Sequence, residues 1–378
     1  MSMIYLDHNA STPVDPEVAD AVHSVLRTNF GNPSSGHGIG LKAKASMEKA
    51  RLQVAELIGA SCEEVVFTSG GTESNNLAII GAALKMKKGH IITSVIEHPS
   101  VMNPCRHLEL MGFGCTYVGV DCDGRVPLED VGKAIRKDTF LITLMHANNE
   151  TGVLQPIEEM GALAREKGIS FHTDAAQTVG KVPVNVERLH VDMLTIATHK
   201  FYGPKGIGAL YMRKGIELTP LLFGASHERG LKPGTENVPG IAGLGKACEM
   251  AGVYMKERTS HTKRLTGILY AGLKERIPGL RLNGHETLRL PNTLNICIPG
   301  VDSGNLLERI KDSVAASSGS ACHAGERKPS AVLMAMGVSE TDAMSSIRLS
   351  TGKDTTEEEI KEAVEIIGKA VQALTRNP

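Results

Sequence analysis

From Glu63 onward, short β-branched runs alternate with amphipathic stretches, and this alternation limits the fold more than any other feature of the chain. EEVVFTS reads as a strand, and ESNNLAIIGAALKM after it reads as a helix. HIITSVI, CTYVGV, TFLITLMH, ISFHTDA and VDMLTIAT follow as strands, most of them separated by helical patterns such as PLEDVGKAIRK and PIEEMGALAREKG. Strands interleaved with helices of this length specify an α/β fold with a mostly parallel sheet. From about residue 256 the texture changes. HTKRLTGILYAGLKERI reads as a long amphipathic helix, LRLPNTLNICIPG and SIRLSTG as strands, and TEEEIKEAVEIIGKAVQALTR as a closing helix. A smaller α+β domain is therefore expected beside the large one, residues 1–12 and 256–378 against residues 13–255. A chain of 378 residues is long enough for both. It contains no internal repeat and no low-complexity segment.

Several function classes are disfavoured. The net charge is −1, which gives no basic field to hold nucleic acid, and 3% aromatic residues with no Trp give no platform for stacked bases. The longest apolar runs are too short to span a bilayer. The start, MSMIYLDHNASTP, lacks a basic region followed by an apolar stretch, so no signal peptide is expected. The seven cysteines, at 62, 105, 115, 122, 248, 297 and 322, are odd in number and never spaced as CxxC. That pattern disfavours a disulfide framework or a structural zinc site and fits a reducing, cytoplasmic compartment.

Four local patterns carry chemistry. In FTSGGTESNN a strand ends at Thr68, a glycine turn follows and a helix begins near Thr72. Backbone N–H groups at such a start bind phosphate, although an ordinary capped helix has the same look. No Gly-Lys-Ser/Thr follows, so it is not a Walker loop, and GHGIG at 36–40 does not follow a strand, so it is not a dinucleotide fingerprint. In FHTDAAQ, Asp174 ends an apolar strand with Gln177 three residues on, at the strand edge where α/β proteins bind ligands. Asp174 suits a protonated ring nitrogen or a helix N-cap. In TIATHKFYGPKGIGALY, Lys200 ends another apolar strand, a placing that suits an amine captured by an aldehyde or a snorkelling surface lysine. In SSGSACHAGERKPS, Cys322 stands among Ser, Gly and Ala on a loop, where a free thiol is a liability unless its reactivity is used. Each pattern alone is weak. In order, and with His98 of SVIEHPS, Asn149 of HANNETG and His199, they supply a partner for every part of pyridoxal phosphate (PLP): phosphate, ring face, phenolic oxygen, ring nitrogen and aldehyde.

At this point the chain resembles the NifS/IscS-type cysteine desulfurases of the fold-type I, class V aminotransferase family. The resemblance runs from YLDHNASTP through GNPSS, FTSGGTESNN, EHPS, NNETG, HTDAAQ, HKFYGPKGIGALY, HERGLKPGTENV, RLPNTLN, SSGSAC and IRLS to the final helix. It implies a PLP enzyme that removes sulfur from L-cysteine, releases L-alanine and passes a persulfide to an acceptor. Lys200 is then the covalent attachment point for the cofactor and mover of the α-proton, Asp174 the partner of the ring nitrogen, and Gln177 the partner of the phenolic oxygen. His98 stacks on the ring and is counted with Lys200 and Cys322 among the catalytic residues, and Gly71, Thr72 and His199 bind the phosphate. Thr235 of KPGTEN reaches the cofactor phosphate of a neighbouring subunit, which implies a homodimer. Asn149 and Arg348 hold the substrate carboxylate, and Cys322 is the nucleophile. An iron–sulfur scaffold protein is the type of acceptor implied, although the chain stops soon after its last helix, without the extension that housekeeping desulfurases use to dock one. Two further departures stand out. Ala197 occupies the place, three before the lysine, where the family usually has Ser, with Thr198 as a hydroxyl-bearing neighbour. TIATHKFYGP, PGTENVPGIAGLGKA and ACH are similar to selenocysteine lyases, making L-selenocysteine the alternative substrate, whereas the Cys322–Pro329 spacing is that of long-loop desulfurases. An aminotransferase or kynureninase-like enzyme, a catalytically silent sulfur carrier, and a metalloenzyme using His98, His146, His172 and His199 are the more distant alternatives.

Overall fold

The structure, a computed structural model, describes residues 3–318, 322–323 and 326–376, with side chains described over 3–318 and 328–375. After an edge strand β1 (Ile4–Tyr5), helices α1 (Pro16–Thr28) and α2 (Gly38–Ile58) precede the first strand of the main sheet. Asp15 caps α1 by accepting a hydrogen bond from Glu17 N, and Pro16 occupies the first turn, where a missing N–H costs nothing. The GHGIG segment opens α2, whose end is set by Gly59 at φ 69°, a left-handed conformation that glycine adopts without strain. Strand β2 (Val65–Thr68) leads into α3 (Gly71–Met86), and β3 (His90–Ser94) into α4 (Pro99–Leu110). Then come β4 (Gly114–Val118), α5 (Leu128–Ala134), β5 (Thr139–Met145), α6 (Ile157–Lys167), β6 (Ser170–Asp174), β7 (Met193–Ala197) and β8 (Gly208–Met212).

These seven strands form one sheet in the order β2-β8-β7-β6-β5-β3-β4. The pairs from β4 to β7 are parallel, while β8 runs antiparallel to β2 and β7. Strands such as VVFT and MLTIA are buried at every position, as expected of a sheet covered on both faces. Because β2, β3, β5, β6 and β7 run the same way, their C-terminal ends share one edge. Thr68, Ser94, Met145, Asp174 and Ala197 therefore deliver the segments that follow them to a common crevice.

A second hydrophobic core is built around β9 (Arg281–Leu282), β10 (Thr293–Cys297), α8 (Ser303–Ile310), β14 (Ser346–Ser350) and α11 (Glu357–Arg376). Between them lie β11 (Val314–Ala315), which pairs with β1, the two-residue ribbon β12 (Cys322–His323) and β13 (Glu326–Arg327), and the short helices α9 (Ala331–Ala335) and α10 (Glu340–Met344). Ile4 and Leu6 pack into this second core. The helix read from HTKRLTGILYAGLKERI is the distal half of α7 (Val238–Arg276), 39 residues long. Its first part, through Ala251, packs in the main core, and Leu265, Leu269 and Leu273 pack in the second. Among the described residues no helix is long and apolar enough to cross a membrane.

Candidate active site

The crevice at the sheet edge holds a cavity of about 330 Å³ lined by Gly71, Thr72, His98, Asn149, Asp174, Gln177, His199, Lys200 and Arg348. Every residue to which the resemblance assigns a role, except Thr235 and Cys322, therefore lines one cavity, whereas Thr198, His146 and His172 do not. Thr235 lies exposed in the segment before α7 and does not line this cavity. The side chain of Cys322 lies outside the described residues.

Lys200 follows β7 in a single turn of 3₁₀ helix and donates from Nζ to Asn9 O at 2.7 Å and to Ala10 O at 2.9 Å. Burial, then the nearby Arg348 guanidinium, pushes its pKa down to about 8, against the opposing pull of Asp174 and Asp7. His199 is pushed down to about 4 by burial and by Lys200, Lys205 and Lys181, so it stands neutral and its ring is a hydrogen-bonding group, not a charge.

Asp174 ends β6 with its side chain buried. Its Oδ1 accepts from Ala176 N at 2.9 Å and its Oδ2 from Asn75 Nδ2 at 2.7 Å. The same Asn75 amide donates to Ser100 Oγ at 2.8 Å, which lies 2.7 Å from His98 Nδ1. The Ser100 backbone N–H also points at that ring nitrogen, at 3.1 Å. With Nδ1 accepting, the neutral ring carries its proton on Nε2. His98 is thus the N-cap of α4 as well as a cavity residue, and burial lowers its pKa. Asn75 and Ser100 were not read from the sequence. The available signal for Asn75 was its place one turn into α3, on the same face as Gly71.

At the start of α3 the cap position is Gly70, which offers no side-chain hydrogen bond to the first turn. An ideal Cβ placed on Gly70 meets nothing within 4 Å, whereas one on Gly71 meets Ala197 Cβ at 3.3 Å. The first turn is open to an anion. Ala197 lines the cavity and Thr198 does not; the Thr198 hydroxyl is buried without a hydrogen-bond partner among the described residues. The wall here is a methyl group.

On the opposite wall Arg348, from β14, is only 8% exposed. It donates from Nη2 to Asp7 Oδ1 at 2.6 Å and from Nη1 to Asn149 O at 2.9 Å, while Nε has no partner among the described residues. Asp7 Oδ1 also accepts from Ser317 Oγ at 2.9 Å. The sequence reading did not single out Asp7 or Asn9. Asn9 donates to Thr293 Oγ1 at 2.8 Å and gives its backbone oxygen to Lys200, so it joins the second core to the cavity floor.

With this geometry in hand, comparison with known proteins gives a direct answer: the family described as "Aminotransferase class-V" matches residues 4–363. The chain belongs to the class-V aminotransferase family. Within the family, this chain is 46% identical over 374 residues to "Cysteine desulfurase IscS" of Dictyoglomus turgidum, covering 98% of this chain and 95% of that one. A solved structure titled "NIFS-LIKE PROTEIN" superposes with a TM-score of 0.93 at 38% identity, covering 99% of this class-V chain and all of the other. Another, "SspA in complex with cysteine", gives a TM-score of 0.83 at 38% identity over 94% of this chain and 100% of that one. The α/β fold with a mostly parallel sheet expected from the strand–helix alternation is the fold of this family.

Proposed function

We propose that this chain is a pyridoxal-phosphate-dependent cysteine desulfurase. The observation that carries the reading is the convergence of the Lys200 amine, the Asp174 carboxylate, the Gln177 amide, the His98 ring, the uncapped α3 start and Arg348 on one cavity. The chain is also similar over nearly its whole length to relatives named cysteine desulfurase. In the overall reaction the C–S bond of L-cysteine breaks and an S–S bond forms on the Cys322 sulfur; of the two thiol hydrogens one ends on the methyl carbon of L-alanine and one on the persulfide, so the carbon is reduced as the sulfur is oxidised. The relatives are named for cysteine, so cysteine and not selenocysteine is the substrate proposed.

The residues present fit the cofactor. Lys200 would hold its aldehyde carbon, Asp174 its ring nitrogen, Gln177 its phenolic oxygen and His98 one ring face, with Gly71, Thr72 and His199 around the phosphate. When bound, the group supplies an electron sink for the carbon that loses its proton. Lys200 is placed to take and return that proton, because its lowered pKa lies near the working range of a general base. Asn149 and the Nε of Arg348, which has no partner among the described residues, would hold a substrate carboxylate.

The reading extends to the assembly. Thr235, exposed and away from its own cavity, is available to a second copy, so we infer a homodimer in which it completes the neighbour's phosphate site. The small domain is proposed to comprise residues 1–12 and 256–378, supported by the packing of Ile4 and Leu6 with the distal half of α7. A cytoplasmic setting and a sulfur-acceptor protein such as an iron–sulfur scaffold complete the proposal.

The test is direct. Protein loaded with pyridoxal phosphate and given L-cysteine with a thiol reductant is expected to release alanine and sulfide in equal amounts. Alanine without sulfur release, or no turnover in a fully loaded protein, would overturn the reading. Arg348→Ala is expected to raise KM for L-cysteine while leaving cofactor affinity largely intact. Loss of a charge-assisted contact is worth about 1.5–3 kcal/mol, or roughly 10- to 150-fold. Loss of the cofactor with substrate affinity unchanged would make Arg348 a structural residue instead.

A further inference from the structure

Lys181 lies four residues beyond Gln177, and its amine is buried beside two cations, Lys200 and Arg348. Its hydrogen-bond acceptors are two neutral amide oxygens: Gln177 Oε1 at 2.8 Å and Asn9 Oδ1 at 3.2 Å. Burying an amine among cations with only amide oxygens for company is unfavourable. A leucine or methionine would fill such a space at lower cost.

The other side of Gln177 shows what the amine accomplishes. Gln177 Nε2 donates to Asn9 O at 3.0 Å. Burial, then Lys200 and Arg348, pushes the Lys181 pKa well down, but the amine directs its hydrogens at Gln177 Oε1 and Asn9 Oδ1, and a backbone carbonyl can only accept. A side-chain amide held between the two has one permitted orientation, oxygen toward Lys181 and nitrogen toward Asn9. The second hydrogen on Nε2 is then left for the cavity that Gln177 lines. Asn9 is fixed in the same manner, because its Oδ1 takes hydrogen bonds from Lys181 and from Asn292 Nδ2 at 3.2 Å, while its Nδ2 donates to Thr293 Oγ1.

We propose that Lys181 is a positioning residue that locks the Gln177 amide so that an N–H, and never a carbonyl, faces the ligand cavity. The inference rests on the cavity being a pyridoxal-phosphate site and deepens that reading. It specifies that the group opposite Gln177 is a hydrogen-bond acceptor, as a phenolate oxygen is, and assigns the selection to a lysine that does not touch the ligand.

The experiment is a double-mutant cycle on protein loaded with pyridoxal phosphate. It compares wild type, Lys181→Met, Gln177→Leu and the double variant, and reads the pH midpoint of the visible absorption of the bound cofactor. A donor to the phenolic oxygen favours the deprotonated form and lowers that midpoint. Gln177→Leu and Lys181→Met are each expected to raise it by about one pH unit, a tenfold change in proton affinity, and the double variant is expected to go no further than either single one. Lys181→Arg, which still only donates, is expected to restore a midpoint near that of wild type. The other titratable groups facing this amine, Lys200, Arg348, His199 and His8, are common to all variants and cancel in the cycle.

A direct charge effect of Lys181 would shift the midpoint equally whether or not Gln177 is present, so additive shifts would overturn the proposal. An unmoved midpoint in Lys181→Met would overturn it too, with the cofactor reading left standing. A wild-type protein that takes up no cofactor would sink both. Should Lys181→Met not fold, Lys181→Gln carries the same cycle, because an amide at 181 can donate or accept and so imposes no orientation on Gln177.

Discussion

Lys200→Ala is expected to abolish turnover of L-cysteine. Proton transfer by a positioned group alone contributes roughly 10²–10⁴-fold, and the variant loses covalent capture of the cofactor as well. Among the described residues no other lysine lines the cavity, and the Lys181 amine is bonded to Gln177 Oε1. The variant should still take up the cofactor through the α3 start and Asp174, without a stable covalent link. Borohydride treatment of wild type followed by peptide mapping should find the pyridoxyl group on Lys200; finding it on Lys205 would refute the assignment. A pH test accompanies this one. Burial and Arg348 lower the Lys200 pKa from an ordinary 10.5 to about 8, so the neutral, nucleophilic amine appears as pH rises through about 8. At pH 7 about a tenth of Lys200 is then neutral, against well under a thousandth of an ordinary lysine. Reductive labelling of the cofactor-free protein by an aldehyde should rise with a midpoint near pH 8. A midpoint near that of free lysine would contradict the desolvated site.

Much of this site was legible because two of its central groups stand at strand ends. The apolar runs ending in Asp174 and followed by Lys200 are short, buried on both faces and rich in β-branched residues, so their ends could be located, and parallel topology brings such ends together. What escaped the sequence is the layer of polar residues behind them. Asn75 reaches Asp174 across 99 positions, Lys181 reaches Asn9 across 172, and Arg348 reaches Asp7 across 341. No local periodicity encodes such pairs, and Asn75, Lys181, Asn9 and Asp7 in isolation look like solvated turn or helix-surface residues. His98 shows the same limit in another form. Its role as the N-cap of α4 was not read, although Pro99 after it is a usual first helical residue. The unbroken course of α7 was also missed. The change in texture near residue 256 is real, but it marks a change of packing partner along one helix and not a break in it.

Cys322→Ser is expected to separate cofactor chemistry from sulfur transfer. Ser317 and Ser330, described residues on either side of Cys322, bond to groups in one neighbourhood. Ser317 pairs through its backbone with Arg348 and through Oγ with Asp7, the carboxylate that also holds the Arg348 guanidinium. Ser330 donates to Glu150 Oε2 at 2.5 Å, next to Asn149, whose carbonyl accepts from Arg348. Burial pushes the Glu150 pKa up to about 7, with Arg348 and the Ser330 hydroxyl pulling against it. Ser317 and Ser330 are thus tied to groups around the proposed carboxylate site, which supports the proposal that Cys322 acts on a substrate held there. In the proposed reaction the Cys322 thiol is needed only to accept the sulfur atom, not to hold the cofactor. The serine variant should therefore keep its cofactor and still change its absorption when L-cysteine is added. It should release almost no alanine from L-cysteine and gain no sulfur in its mass spectrum, because a serine hydroxyl is not ionised near neutral pH and cannot attack the substrate sulfur. L-selenocysteine is the discriminating control. Its C–Se bond is weaker, and selenium can leave without a nucleophile, so partial activity there alongside a dead reaction with L-cysteine is the expected pattern. Alanine release from L-cysteine at a near-wild-type rate would show that sulfide is eliminated directly, and the persulfide on Cys322 would have to be abandoned.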